Sequence, residues 1–363
     1  MKLFVRIILN LTLLLAAAAG AEEEKILNVY NWSDYIGLNT LADFETEFGI
    51  KVNYDLYAST EVVEAKLLAG KTGYDVVVHA VRYSARLIPI GVYQPLDKSK
   101  LTLWHNLDPW VLQTMSTYDP DNQYGFPYMW GTTGFAYNID MINERMPDAP
   151  LDSGDMIFKP EIASRFADCG ISIIDEPTDV IPLAMLYLGH DPNSMELAHI
   201  SEVEKLLKAV RPYIRYFNSS RMISDMPNEE VCIAMSWSGD YAQAMQRAIE
   251  VGADVKLAYS IPKEGTVIWF DGMFIPADAP HPDNAHLFIN YLLRPEVIAE
   301  VSHHIRYANA NRPSLALLPA EVTEDPAVYP TAEQLENMNV GFIFGPKLER
   351  RRTRAWSRIK TGL

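Results

Sequence analysis

The stretch of sequence that decides the fold is residues 26–79, which read ILNVYNWSDYIGLNTLADFETEFGIKVNYDLYASTEVVEAKLLAGKTGYDVVVH. Apolar segments suited to buried strands alternate here with segments whose apolar residues recur at helical spacing. In chain order these segments are Ile26–Trp32, Leu41–Phe48, Ile50–Leu56, Glu61–Ala69 and Tyr74–His79. Strands and helices in alternation predict a parallel sheet covered by helices. Because ligands bind at the carboxyl ends of such strands, we expect Trp32–Tyr35 and His79–Arg82 at the mouth of a cleft.

The middle of the chain repeats this plan. Gly170–Asp175 and Val231–Met235 are expected strands, and Glu202–Val210 is an expected amphipathic helix. No Gly/Ser-rich linker separates the two regions, so we expect two α/β lobes joined by ordered strands near 125–138 and 256–262. The expected division is a signal peptide at 1–21, lobe 1 at 22–131 plus 250–305, and lobe 2 at 132–249 plus 306–363.

The composition is that of an acidic globular protein. Of the 363 residues, 48% are apolar and 21% are charged, which excludes a disordered or fibrous chain. Lys and Arg number 31 against 47 Asp and Glu, a formal net charge of −16. This balance argues against a nucleic-acid partner, whose phosphates require clustered basic side chains. A cationic small ligand suits it better.

The N-terminal segment is expected to direct export. Lys2 and Arg6 precede an apolar run at Ile7–Ala19, and the small residues Ala19 and Ala21 occupy the positions that a signal peptidase reads. We expect cleavage after about Ala21 and an exported, soluble protein; the alternative is an uncleaved membrane anchor.

Export changes the interpretation of the cysteines, Cys169 and Cys232, which are the only two in the chain. In an oxidising compartment an isolated pair favours a disulfide over a metal or catalytic site. Two buried thiols are the alternative.

Carboxylates and tryptophans occur together at the ends of the expected strands. They are Trp32 with Asp34, Trp237 with Asp240, Trp269 with Asp271, and Asp179. An ammonium group that enters a cleft loses water and needs charged acceptors in return, while the methylenes between two ammoniums need apolar cover. Indole faces supply this cover and attract a nearby cation by roughly 0.5–2 kcal/mol. The pattern favours a linear polyamine; the alternative is that these residues are core tryptophans and helix N-caps.

Catalysis and cofactor binding have little support in the sequence. Ser236–Gly239 lacks the first glycine of a nucleophile elbow, and no glycine-rich phosphate loop occurs. The eight His show no close metal-ligand spacing. A ferric-ion carrier would need clustered oxygen ligands, and the chain has no adjacent Tyr pair. We therefore expect a binding protein without metal or cofactor.

An ordered set of motifs runs from about Leu27 to Lys360. It comprises Asn31–Tyr35 (NWSDY), Tyr74–Val78 (YDVVV), Phe126–Trp130 (FPYMW), Thr132–Gly134 (TTG), Arg215–Phe217 (RYF), Trp237–Asp240 (WSGD), Phe270–Asp271 (FD) and Tyr307–Asn311 (YANAN). This set resembles the periplasmic putrescine/spermidine-binding proteins of ABC importers. The resemblance implies a two-lobed α/β periplasmic-binding-protein fold of type II, with a helix-covered sheet in each lobe and the ligand in the interlobe cleft. It also implies a Cys169–Cys232 disulfide and a monomer that closes on its ligand by hinge motion and delivers it to an inner-membrane permease. A sensor that presents the same closed lobes to a membrane receptor is the alternative role.

The resemblance also implies a role for each residue of the ligand site. Trp32 and Trp237 would sandwich the methylene chain, and Asp34, Asp240 and Asp271 would bind ammonium groups. Ser33, Tyr35 and Tyr307 would add hydrogen bonds or wall contacts, and Asp179 would take the far ammonium. Trp269 together with Glu176 looks more like members that prefer spermidine, because an added carboxylate could receive a third amine.

Arg82 departs from the family, which commonly has small hydroxyl residues after the third strand. A guanidinium in the cleft would repel a polyamine by up to about 4 kcal/mol at an effective dielectric of 20. Either Arg82 pairs with Glu176 or faces solvent, leaving polyamine binding intact, or the ligand has an amine at one end and a carboxylate at the other. An acylated polyamine or a basic amino acid derivative would be such a ligand.

Overall fold

A computed structural model describes residues 23–57, 59–331, 334–335, 338–342 and 344–362. The expected signal peptide and its cleavage point after Ala21 lie outside the described residues.

The strands are β1 Ile26–Trp32, β2 Lys51–Tyr57, β3 Val76–Ala80, β4 Gly125–Asn138, β5 Ile171–Ile173, β6 Ile214–Phe217, β7 Ile233–Trp237, β8 Leu257–Ser260, β9 Thr266–Phe274, β10 Ala308–Asn309 and β11 Met338–Val340. The helices are α1 Thr40–Phe48, α2 Thr60–Ala69, α3 Val81–Leu87, α4 Pro109–Met115, α5 Ile139–Arg145, α6 Asp155–Phe158, α7 Pro160–Ala163, α8 Pro177–Tyr187, α9 Leu197–Val210, α10 Met222–Asp225, α11 Ser238–Glu250, α12 Pro282–Leu292, α13 Pro295–Ile305, α14 Ala320–Thr323 and α15 Pro346–Thr361. Within the described ranges, no helix has both the length and the hydropathy needed to cross a bilayer.

All five elements expected in residues 26–79 form, with ends within two residues of their expected positions. Helix α1 ends where Gly49 adopts φ +65° and donates its N–H to the Glu45 carbonyl, a conformation that glycine reaches without a Cβ clash. Helix α9 begins before its expected start at Glu202, because its buried apolar stripe already begins at Ile200.

The first sheet has the strand order β2-β1-β3-β9-β4. Strands β1, β2 and β3 are parallel, as the alternation predicts, whereas β9 is antiparallel to both β3 and β4. The carboxyl ends of β1 and β3 therefore lie at one edge of this sheet, which is the edge that faces the cleft.

The second sheet continues from the first through β4. Residues 125–132 of this strand pair with β9, and residues 133–138 pair with β7 and β8. Strands β5 and β6 extend the second sheet beyond β7. One continuous strand thus crosses from one sheet to the other, in agreement with the ordered connection expected near 125–138.

The described residues bury two apolar clusters, one under each sheet. Strand β8 pairs within the second sheet, whereas β10 pairs with β4 of the first sheet, and Leu318, Val322 and Val328 pack into the first cluster. Strand β11 also pairs with β9 of the first sheet. We therefore propose that lobe 1 comprises residues up to about 131 together with about 265–340, and that lobe 2 comprises the remainder. The expected boundaries at 250 and 305 would shift accordingly.

Cys169 and Cys232 are joined by a disulfide, with their Cα atoms 5.6 Å apart. Both residues lie in the second cluster. The bond therefore ties the segment before β5 to β7 within a single lobe, as expected.

Candidate functional site

The cleft between the two sheets is lined by all twelve side chains that sequence analysis selected. They are Trp32, Ser33, Asp34, Tyr35, Arg82, Glu176, Asp179, Trp237, Asp240, Trp269, Asp271 and Tyr307. The space among these side chains, counted together with the part open to solvent at the mouth, is about 890 Å³. Ligand binding by each residue stays a prediction, but these side chains, which come from separate stretches of the chain, do meet in one place.

The turn after β1 carries Trp32, Ser33 and Asp34 into the cleft. The buried Asn31 side chain holds this turn: its amide donates to the Tyr35 carbonyl at 2.9 Å, and its oxygen accepts the Trp32 N–H at 2.8 Å. Asp34 has φ +54°, in the left-handed region that Asp tolerates better than most residues. The sequence Asn-Trp-Ser-Asp thus builds a fixed support for the Asp34 carboxylate.

Aromatic rings form one wall of the cleft. The Trp32 and Tyr57 ring centroids are 4.3 Å apart, and Tyr307 contacts both Trp269 at 5.2 Å and Tyr35 at 5.4 Å. The rings therefore support one another in two groups, Trp32 with Tyr57 and Tyr307 with Trp269 and Tyr35, and both groups line the cleft and can cover methylene groups.

Trp237 is the last residue of β7 and packs against both apolar clusters. It therefore lies where the two lobes meet, and its indole can contact a ligand held between them. Helix α11 follows directly and carries Asp240 in its first turn.

Asp240 accepts a hydrogen bond from the Tyr307 hydroxyl at 2.6 Å. Burial raises the pKa of Asp240 to about 7; the hydrogen bond from Tyr307 opposes this rise, and the charge of Asp34 adds to it. Gly239 makes the close approach possible, because a Cβ there would lie 2.4 Å from the Tyr307 ring. The result is a buried carboxyl that would ionise fully when a cation arrives beside it.

Asp271 lies on β9, opposite Ala80 of β3 and Met129 of β4. Burial raises its pKa to about 7, with Tyr35 and Arg82 lowering it and Asp179 raising it. Among the described residues, no ion pair involves Asp34, Asp240 or Asp271. These three carboxyls therefore form no direct ion pair within the described chain, although the charge of Arg82 acts on Asp271.

The structure bears on one of the two sequence-based alternatives for Arg82, that it pairs with Glu176 or faces solvent; a ligand carboxylate as its partner stays a prediction. Arg82 is only 8% exposed, so the expectation that it faces solvent is wrong. Its guanidinium contacts both carboxylate oxygens of Asp179 at 3.3 Å and donates to the Thr178 hydroxyl at 2.7 Å. Arg82 belongs to α3 of the first lobe and Asp179 to α8 of the second, so this ion pair bridges the cleft.

Glu176 and Thr178 complete this part of the cleft. Thr178 donates its hydroxyl to Glu176 at 2.6 Å, which places the Glu176 carboxylate one hydroxyl away from the Arg82 guanidinium. Thr133 of β4 adds a hydrogen bond to Asp179 at 3.3 Å. The expected partner of Arg82 was Glu176, but the structure places Asp179 in direct contact with it.

Sequence analysis missed several lining residues, namely Tyr57, Thr60, Ser219, Ser220, Ile223 and Gln243. Tyr57 ends β2, and Ser219 and Ser220 follow β6. The rule that selected Trp32 and Asp34 at a strand end could therefore have found these three. No comparable signal marks Gln243, which lies one turn after Asp240 on α11.

The described part of the chain contains no group of three or more His, Cys, Asp or Glu side chains placed to hold a metal ion. The carboxylates of the cleft are instead interleaved with aromatic rings, an arrangement suited to an organic cation.

The sequence is similar to one family profile and to several periplasmic binding proteins. The profile of the bacterial extracellular solute-binding proteins matches residues 39–331. The putrescine-binding periplasmic protein PotF of Escherichia coli K12 is 46% identical over 353 residues, covering 96% of this chain and 95% of that protein. The putrescine-binding periplasmic protein SpuD of Pseudomonas aeruginosa is 44% identical and covers all of both chains.

Among solved structures, a putative spermidine/putrescine ABC transporter protein from Listeria monocytogenes superimposes with a TM-score of 0.84 at 31% identity. The match covers 93% of this chain and 99% of that one. The expected two-lobed type II fold is confirmed by this similarity.

Proposed function

The chain belongs to the bacterial extracellular solute-binding protein family, and from this premise we propose that it captures a linear polyamine in the periplasm and delivers it to an ABC permease of the inner membrane. Proteins of this family bind solutes for transport and are not enzymes. Several relatives are named for putrescine or for spermidine and putrescine, which places this ligand class first.

The observation that carries the proposal is the conjunction of buried carboxyls and aromatic rings in one cleft. Asp34, Asp240 and Asp271 are the acceptors that desolvated ammonium groups require, and they have no ion-pair partner among the described residues. The aromatic wall formed by Trp32, Tyr57 and the Tyr307 contacts covers the intervening methylenes. An anionic or purely apolar ligand would leave the carboxyls unpaired.

Hinge closure is the proposed mechanism of capture. Asp34 and Asp271 belong to the first sheet, whereas Asp240 begins the helix that follows β7 of the second. A ligand that contacts both sets binds the closed arrangement more tightly than an open one, and this difference in affinity shifts the population toward closure. The closed lobes would form the surface that the permease recognises.

Export as a monomer with a signal peptide removed after about Ala21 is part of the same proposal. The sensing role remains the alternative, and a receptor that responds to the ligand-bound protein in the absence of any permease would support it.

A ligand panel tests the proposed function. Putrescine, cadaverine, spermidine, spermine, agmatine and acylated polyamines are compared by calorimetry and thermal unfolding of the mature protein. A ligand present at 100 times its Kd stabilises the protein by about 2.7 kcal/mol, so we expect a clear rise in Tm with at least one free polyamine. If none of the polyamines binds, the proposal fails.

Asp240→Asn keeps the size of the side chain but removes the charge, so we expect binding weaker by about 1–3 kcal/mol, the scale of a charged hydrogen bond. Asp140→Asn is the matched control, since Asp140 is exposed and pairs with Lys256 away from the cleft. Equal affinity in both variants would contradict the site.

A further inference from the structure

We propose, building on polyamine capture, that Arg82 limits the length of the ligand. Its guanidinium is already paired with the Asp179 carboxylate that a third amine would need. The cleft therefore selects diamines over triamines. Sequence analysis favoured spermidine because the combination of Trp269 and Glu176 resembles family members that prefer spermidine. The observed partner of Arg82 reverses that order.

A chain of contacts orders the cleft from one end to the other. At the first end, Tyr307 donates to Asp240 and its ring contacts Tyr35. Tyr35 and Asp271 both line the cleft, and Tyr35 lowers the pKa of the Asp271 carboxyl. We call the residues Asp34, Asp240 and Tyr307 the Asp240 end; Asp271 lies beyond it.

The second end follows from the register of the sheet. Asp271 pairs with Ala80 across β9 and β3, and Arg82 lies two residues after Ala80 at the start of α3. Beyond Arg82 come its partners Thr178 and Asp179, with Glu176 bonded to Thr178. We call Arg82, Glu176, Thr178 and Asp179 the Arg82 end.

The two ends differ in what they offer a cation. The Asp240 end and Asp271 carry carboxyls without a cation of their own among the described residues, which matches one ammonium each. At the Arg82 end, both oxygens of Asp179 and the hydroxyl of Thr178 already contact the guanidinium. A further ammonium there would have to displace a buried guanidinium or remain beside a like charge, and a guanidinium does not release its proton.

Arg82 thus acts as a tethered cation that fills the position of a third amine. A diamine with one ammonium at the Asp240 end and the other at Asp271 instead pairs with carboxyls that no guanidinium contacts directly in the described chain. The same contact joins α3 to α8, so one end of the cleft closes through the protein's own ion pair.

The test compares the ratio of two affinities, those for putrescine and for spermidine, in the wild type and in Arg82→Ser. We expect the wild type to bind putrescine more tightly, and Arg82→Ser to move the ratio toward spermidine by at least about tenfold, the size of one charge-assisted hydrogen bond. Arg86→Ser is the matched control: Arg86 lies one turn further along α3, pairs with Glu64 and does not line the cleft. It removes the same charge, so the ratio should stay at its wild-type value.

The double variant Arg82→Ser/Asp179→Asn shows whether the change in the affinity ratio comes from the freed Asp179 carboxylate or from a general loosening of the cleft. With the Asp179 carboxylate gone, the position vacated by the guanidinium has no charged acceptor and only Glu176 remains at this end, so the ratio should return part of the way toward that of the wild type. A ratio that stays fully shifted in the double variant would overturn the proposal.

The wild type alone provides a test if Arg82→Ser does not fold. Tighter binding of spermidine than of putrescine by the wild type would overturn the length limit, although polyamine capture itself would stand. Tighter binding of 4-aminobutanoate or lysine than of any diamine would show that Arg82 receives a carboxylate, and would also overturn it. If the wild type binds no polyamine at all, the proposed function fails and this inference falls with it.

Discussion

At the scale of single residues, the site depends on carboxyls held where water cannot solvate their charge. Asp240 and Asp271 are each 8% exposed, and burial raises the pKa of both to about 7. Burial disfavours the ionised form until a cation enters. An ammonium ligand would therefore meet side chains that gain more from pairing than exposed carboxylates would.

The raised pKa values predict that polyamine affinity falls as the pH is lowered. Below pH 7 the two carboxyls are largely protonated and must release protons to pair with ammonium groups, so affinity should fall by up to about tenfold per pH unit for each group. Calorimetry between pH 5.5 and 8 in buffers of different ionisation enthalpy measures both the affinity and the protons released. Asp240→Asn should release about one proton fewer, and a pH-independent affinity would contradict the assignment.

The stability of the unliganded protein should change with pH in the opposite direction to the ligand affinity. A carboxyl whose pKa is raised from about 4 in the unfolded chain contributes stability below that pH, and the contribution is lost as pH rises through its folded pKa. Asp240 and Asp271 thus destabilise the free protein at pH 8 relative to pH 6. The increase in Tm that a polyamine produces should accordingly be larger at pH 8.

At the scale of helices and strands, the positions of the acidic residues were predictable because they obey a local rule. Trp32 and Asp34 follow β1, and Trp237 and Asp240 mark the passage from β7 to α11. A strand end combined with a turn signal is visible in the sequence, and the edge where parallel strands end is where they converge. The Cys169–Cys232 bond was predictable for a similar reason, since the chain offers no other pairing.

The partner of Arg82 was not predictable in this way. Arg82 and Asp179 are 97 residues apart and come from different lobes, so their contact depends on how two separately folded sheets face each other. No local periodicity encodes that placement. Gln243 was missed for the same reason, because it enters the lining only through the position of α11 beside the other lobe.

The disulfide supports a prediction at this scale. The bond spans 63 residues, and loop entropy of that length corresponds to about 4 kcal/mol of stabilisation. Cys169→Ala/Cys232→Ala should therefore lower the free energy of unfolding by about 2–5 kcal/mol, as measured by denaturant titration. Ligand affinity should be unchanged, because neither cysteine lines the cleft; a large loss of affinity with unchanged stability would contradict this division of roles.

At the scale of the whole molecule, one strand and one ion pair connect the two lobes in different ways. Strand β4 runs continuously through both sheets and connects them covalently. The Arg82–Asp179 pair bridges the cleft by a contact that opening would break. A ligand that joins Asp271 to Asp240 would add a second bridge, so closure and capture would be the same event.

The proposed capture depends on an elongated dication bridging the carboxyls of both lobes, and a crystal structure of the protein with bound putrescine tests this most directly. We expect one ammonium at the Asp34 and Asp240 carboxylates, the other at Asp271, the methylenes between Trp32 and Trp237, and the Arg82–Asp179 pair intact beside the ligand. Putrescine bound outside the cleft, or with an ammonium at Asp179 in place of the Arg82 guanidinium, would contradict it.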